Sequence, residues 1–167
     1  MKMRVLLLLS AFLITGCGGE NTEVLPKIDS AKEKFQVGPT TWELILPPYW
    51  EKLTPPENSA ALYLAHRGME SFVILLQKRS SEDIATELWD SAKQDFFSFE
   101  EIHFSPHQWR FQAKTTASDP LHEFHQKIFP VPETSFFLLG SCSFPVEQER
   151  SNECETIFNS WEISKTQ

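Results

Sequence analysis

The sequence predicts an α+β domain, a mainly antiparallel sheet with helices packed on it. Three observations carry this. Short segments alternate apolar and polar residues with period two, as half-buried strands do. One long segment instead repeats its apolar residues every four positions, as an amphipathic helix does. The order is strands, helix, a meander of strands, helix, which segregates the two element types.

The first strand is TWELILPPYW, where Trp42, Leu44 and Leu46 alternate with Thr41, Glu43 and Ile45. Pro47 and Pro48 end it, because proline cannot donate to a ladder, and Tyr49 and Trp50 fold back as large covers. Residues 60–66 (AALYLAH) form a second strand, Gly68 a tight connection, and residues 71–78 (SFVILLQK) a third. The unbroken apolar run of this third strand implies burial on both faces. In SSEDIATELWDSAKQDFF, Ile84, Leu88, Ala92 and Phe96 form the helical stripe, with Ser80 and Asp83 as a capping pair. Residues 102–105 form a short strand broken at Pro106, and 108–116 (QWRFQAKTT) alternate clearly. Residues 121–129 alternate more weakly, and 135–143 (SFFLLGSCS) read as a buried strand. Residues 146–158 read as a last helix, with Cys154, Ile157, Phe158 and Trp161 as its apolar stripe. This order places Trp42, Leu44, Val73, Trp109 and Phe137 on one sheet, with the helices near Leu88 and Phe158 both packed on it.

The N-terminus, MKMRVLLLLSAFLITGCGGE, has the layout of a secretory signal peptide. Lys2 and Arg4 precede an apolar run too short for the ~20 residues that a membrane-spanning helix needs. Ile14-Thr15-Gly16-Cys17 resembles a bacterial lipobox. The resemblance implies a diacylglyceryl thioether on Cys17, cleavage ahead of it, and acylation of the freed amine. Cleavage would shorten the chain from 167 to 151 residues and remove Lys2 and Arg4, so the formal charge would fall from −8 to −10. That acidity argues against a nucleic-acid partner, since binding phosphates needs clustered Lys and Arg. It argues equally against electrostatic docking on anionic lipid, so the acyl chains alone would hold the membrane. The organisation is thus a signal peptide (1–16), the lipidated cysteine with a polar tether (17–34), and one domain (35–167). Gly18 stands where an aspartate would resemble an inner-membrane retention signal. This favours the outer membrane, facing the periplasm, in a bacterium with two membranes.

LPPYW after the first strand, ALYLA in the second, and the tail IFNSWEI resemble the Mog1/PsbP-like superfamily, which includes DcrB-like envelope proteins. The likeness spans roughly Phe35 to Ile163 and consists of aromatics and turns, with no catalytic signature. It implies an α/β/α sandwich around an antiparallel sheet and a non-enzymatic, accessory role. It carries over no binding residue.

Cys142 and Cys154 remain once Cys17 is used. An exported chain enters a compartment where disulfides persist. In the implied sandwich the last helix packs back over the strand that carries Cys142, which makes a bridge reasonable; two separate buried thiols are the alternative. The Cys-x-x-Cys spacing of redox sites is absent. His122-Glu123-Phe124-His125 lacks the helical His-Glu-x-x-His spacing, and on a strand positions 122 and 125 face opposite sides. His103 and His107 are separated by Pro106. Structural or surface histidines fit better than a metal site, and no cofactor is implied. No Gly-x-Ser-x-Gly occurs, and Gly38, Gly68 and Gly140 cannot build a phosphate loop. The acid pairs Glu82-Asp83, Glu100-Glu101 and Glu153-Glu155 read as solvated faces. Most of the 14 Phe and 5 Trp must be core. Tyr49, Trp50, Phe97 and Phe99 sit at element ends, either capping the core or forming a partner-binding patch.

The first expectation is therefore a lipid-anchored envelope protein that binds another protein. A carrier or sensor with an apolar groove between sheet and helix comes second, and an enzyme last. A deep cavity, a flat aromatic patch, or converging titratable groups would distinguish them.

Overall fold

A computed structural model gives the structure of residues 31–38, 40–57, 59–78 and 83–165. The expected signal peptide, Cys17 and the expected tether up to residue 30 lie outside the described residues.

Ten strands and two helices follow in the order β1 (Ala31–Val37), β2 (Thr40–Leu46), β3 (Glu51–Leu53), β4 (Ala61–Arg67), β5 (Glu70–Lys78), α1 (Ile84–Asp95), β6 (Ser98–Phe104), β7 (Gln108–Lys114), β8 (His122–Pro130), β9 (Phe136–Pro145), α2 (Ser151–Asn159) and β10 (Glu162–Lys165). The α+β architecture with a mainly antiparallel sheet is as the sequence predicts. The single sheet is not. A seven-stranded sheet runs β3-β4-β5-β9-β8-β7-β6, and a separate three-stranded sheet runs β1-β2-β10. Trp42 and Leu44 therefore belong to the small sheet, while Val73, Trp109 and Phe137 belong to the large one. The cause is that Pro47-Pro48 detaches β2 from β3, so β2 takes its partners from the two ends of the domain.

Alternation along β9 shows how the layers form. Leu138, Cys142 and Phe144 face one core, shared with Trp42, Leu44 and Leu46 of β2 and with Cys154, Ile157 and Phe158 of α2. Phe137 and Leu139 face the other core, with Ala85, Leu88, Trp89 and Ala92 of α1 and with Trp109 and Phe111 of β7. The helices thus lie on opposite faces of the large sheet, and the small sheet shares the α2 side. Gly140 permits the close approach there: a Cβ at this position would lie 2.7 Å from Phe158 Cε1.

Other departures from the sequence reading are local. β1 takes in residues 31–34, which the sequence reading gives to the tether. Its alternation is carried by charge, with Lys32 and Lys34 both paired to Glu43 of β2. Asp83, rather than Ser80, is the N-cap of α1, and its side chain accepts from the Thr86 N–H at 3.4 Å. Aspartate and serine serve this position about equally well. The expected helix over 146–158 is a 3-10 turn at Val146–Gln148, a left-handed Glu149 (φ 50°), and then α2. Trp161 lies beyond α2. Its ring stacks on Phe129 at 3.9 Å between centroids, and Ser160 ends the helix by donating its hydroxyl to Ile157 O at 2.7 Å.

Candidate functional site

Two polar clusters border the core on the α2 side. The first grows from strand register. Antiparallel pairing sets Arg110 of β7 opposite His125 of β8, and Gln112 opposite Glu123, so all four share a face. Arg110 Nη2 donates to Glu123 Oε1 at 2.7 Å and to Ser151 Oγ, at the start of α2, at 2.8 Å. His125 is fully buried, with Nε2 2.7 Å from Glu123 Oε1 and 3.3 Å from Ser151 Oγ. Glu155 Oε1 stands 3.8 Å from Arg110 Nη1.

Serine, histidine and glutamate in contact invite a hydrolytic triad, but the geometry opposes it. A triad needs the carboxylate on one ring nitrogen and the nucleophile on the other. Here both meet Nε2, and Nδ1 is buried with no partner among the described residues. The ionised Glu123 accepts the Nε2 proton, so the basic nitrogen is the one directed away from Ser151. The cluster instead pins the first turn of α2 to β7 and β8.

Its electrostatics give a pH dependence. Burial pushes the His125 pKa below 6.5, and the Arg110 charge adds to this against the pull of Glu123. Burial lowers His122 as well, opposed by Asp119 and Glu147. For Glu123, burial alone would raise the pKa; hydrogen bonds from Arg110 and His125 outweigh it and hold the carboxyl low. A histidine with a depressed folded-state pKa stabilises fully above its unfolded pKa and loses that contribution as pH falls towards the folded value. Urea unfolding is expected to show lower stability at pH 5.5 than at pH 7 on account of His125. Replacing His125 with Phe should shrink that difference, and an equal fall in both proteins would rule out His125 as its source.

The second cluster covers the Cys142–Cys154 disulfide, whose Cα atoms are 5.8 Å apart. Arg67 of β4 donates through Nε to Glu70 at 2.6 Å and through both terminal nitrogens to Glu153 of α2 at 2.9 Å. Arg150 stands 3.6 Å from Glu70 and 3.5 Å from Glu153. The Trp50 indole N–H donates to Glu153 at 3.2 Å, and the Arg67 guanidinium lies 5.2 Å over the Trp50 ring. Burial raises the Glu153 pKa, but Arg67 and Trp50 outweigh it and hold the carboxyl low. A shallow surface depression of about 160 Å³, a volume that includes open solvent, lies over this cluster and the disulfide. Ligand pockets run to ~300–1,000 Å³. The space between the large sheet and α2 is filled by Phe72, Phe129, Phe158 and Trp161. Among the described residues no group of three His, Cys, Asp or Glu side chains is placed to hold a metal ion, and no helix is long and apolar enough to cross a membrane.

No protein-family model matches the chain, and no curated protein does. Several solved structures share its fold, two among them with the following likeness to this chain. One is LpqN, involved in cell envelope biogenesis of Mycobacterium tuberculosis, with a TM-score of 0.54 and 12% identity over 81% of this chain and 91% of that one. The other is cyanobacterial PsbP (CyanoP) from Synechocystis sp. PCC 6803, with a TM-score of 0.51 and 8% identity over 90% of this chain and 99% of that one. The fold is Mog1/PsbP-like.

Within the Mog1/PsbP-like fold the four aromatics read as a patch do not come together. Tyr49 and Trp50 lie beside β3 at one edge of the large sheet, and Phe97 and Phe99 at β6, the other edge. Trp50 is held by Arg67 and Glu153 and packs edge-on against Phe72 at 6.5 Å. Phe99 stacks on Phe111 at 4.7 Å. Only Tyr49, in a left-handed conformation (φ 72°), and Phe97 are exposed. His122 and His125 face opposite sides of β8, as the strand period predicts. The Arg110–Glu123–His125–Ser151 cluster escapes sequence reading, because its members meet through register. The one local signal is polar residues alternating into a face that should be core.

Proposed function

We propose that the chain is a lipid-anchored, non-enzymatic protein of the bacterial cell envelope that works as an accessory module by binding another protein. The observation that carries this is the filled interior. Ring-to-ring packing occupies the space between sheet and helices, and both polar clusters are spent on internal pairing. That leaves the surface as the working part and disfavours the carrier reading. The lipobox supports the anchor, and LpqN, a protein of this fold, is tied to the envelope by its own description. Gly18 after Cys17 favours the outer membrane, facing the periplasm.

Replacing Cys17 with Ser is expected to abolish palmitate labelling and to leave an uncleaved or soluble product. Continued labelling and membrane fractionation of that variant would reject the anchor. Crosslinking in intact cells, followed by mass spectrometry, tests the partner: covalent adducts to a second envelope protein are expected, and adducts to lipid alone would count against the reading.

A further inference from the structure

β6 closes one end of the seven-stranded sheet, so its outer edge pairs with no strand among the described residues. An open edge is a template for another chain, and proteins blunt it with short strands, bulges or charge. β6 is seven residues long, and its register slips between Glu101 and His103, so Ile102 is the extra residue of a bulge. Ile102 is 43% exposed, and Phe97, just before the strand, is 67% exposed. Two exposed apolar side chains therefore bracket Ser98–Glu101. Within that stretch Glu100 and Glu101 are exposed, and neither is in an ion pair among the described residues. Asp90 and Asp95 on the exposed face of α1 add to the acidity, and Lys93 is engaged by Asp90.

We propose that Ser98–Glu101 accepts an extended, Lys- or Arg-bearing segment of another envelope protein as an eighth strand, with Phe97 and Ile102 packing on its apolar residues. This rests on the protein-binding reading and names the surface it uses. Backbone pairing supplies affinity in such additions, and alternate side chains supply specificity. Charge selects the occupant. A second copy of this chain would set Glu100 and Glu101 against their own counterparts, and like charges opposite each other destabilise a strand pair. A basic strand gains from the same carboxylates. Position agrees. The chain enters the domain at β1, which Glu33 ties to Lys52 of β3 at 2.9 Å, and β3 is the far edge of the large sheet. Six strand spacings, roughly 29 Å, separate the two edges, so a partner on β6 is clear of an anchored N-terminus.

The test places the photoreactive amino acid benzoylphenylalanine at position 97, 102 or, as a control on the exposed β4–β5 turn, 69, in the full chain in cells that make it. Positions 97 and 102 are expected to crosslink to one protein segment that carries Lys or Arg, and position 69 is not. Replacing both Glu100 and Glu101 with Lys should lower the yield about tenfold, an effect of about 1.4 kcal/mol, with the thermal midpoint unchanged. Replacing both with Gln should give an intermediate loss. Crosslinks from 97 and 102 to a second copy, to lipid or to nothing would overturn the edge assignment, as would a yield indifferent to these charges. If position 69 alone captures a protein, the protein-binding reading stands and the edge assignment falls. If no position captures one, both fall.

Discussion

Replacing Phe72 with Ala lowers stability by about 3–5 kcal/mol. Phe72 is fully buried in the first half of β5. Its ring lies 6.2 Å from Tyr63 of β4, 6.5 Å from Trp50, 5.9 Å from Phe158 of α2 and 6.3 Å from Trp161. These neighbours come from four segments, each fixed by other contacts, so the cavity left by the deleted ring cannot collapse easily. Removing the exposed Phe97 side chain should change stability by less than about 0.5 kcal/mol. Urea unfolding followed by tryptophan fluorescence measures both. A Phe72→Ala loss below about 1.5 kcal/mol would mean that the ring cluster repacks rather than acting as a fixed hub.

Removing the disulfide should cost about 3 kcal/mol, the loop-closure value for a short loop. The bridge spans 12 residues and ties the strand carrying Cys142 to α2. At nine residues, α2 is too short to persist without tertiary contacts. Other ties remain after the bridge is cut: the Arg67–Glu153 pair, the Ile45 N–H to Ser160 Oγ bond at 2.9 Å, and Phe158 against Gly140. The domain should therefore stay folded with a midpoint lower by about 6–12 °C. Replacing both cysteines with Ala and scanning by calorimetry tests this. Thiol labelling of the unfolded, unreduced mature protein tests the bridge itself, and two free thiols would exclude it.

Much of the fold is legible because its central elements carry their period in full. In β2 and β7 burial of alternate side chains is written into the residues, in β5 and β9 an apolar run marks burial on both faces, and α1 repeats its stripe every three or four. β1, β3 and β10 are not legible. AKEKFQV offers two apolar residues late in the strand, EKL is three residues long, and EISK has one apolar residue. Such strands are held by the neighbour they pair with, and pairing is not a local property. The same reasoning separates the two polar clusters from the aromatics. Arg110, Glu123 and Ser151 come together only through register and the return of α2. Trp50 and Phe99, which look like surface at the ends of elements, are drawn onto the core by Phe72 and Phe111.

The small sheet also fixes an order of events during folding. β2 lies between β1 and β10, so one of its flanks is open until the last strand arrives, and the bond from Ile45 to Ser160 closes over 115 residues. Loop closure of that span is slow, and its entropy is spent before any contact rewards it. Until then β2 presents an unpaired edge beside Trp42 and Leu44, the kind of surface on which nascent chains aggregate. The domain cannot lock until β10 arrives, so a strand of only four residues governs the closing step of the core on the α2 side.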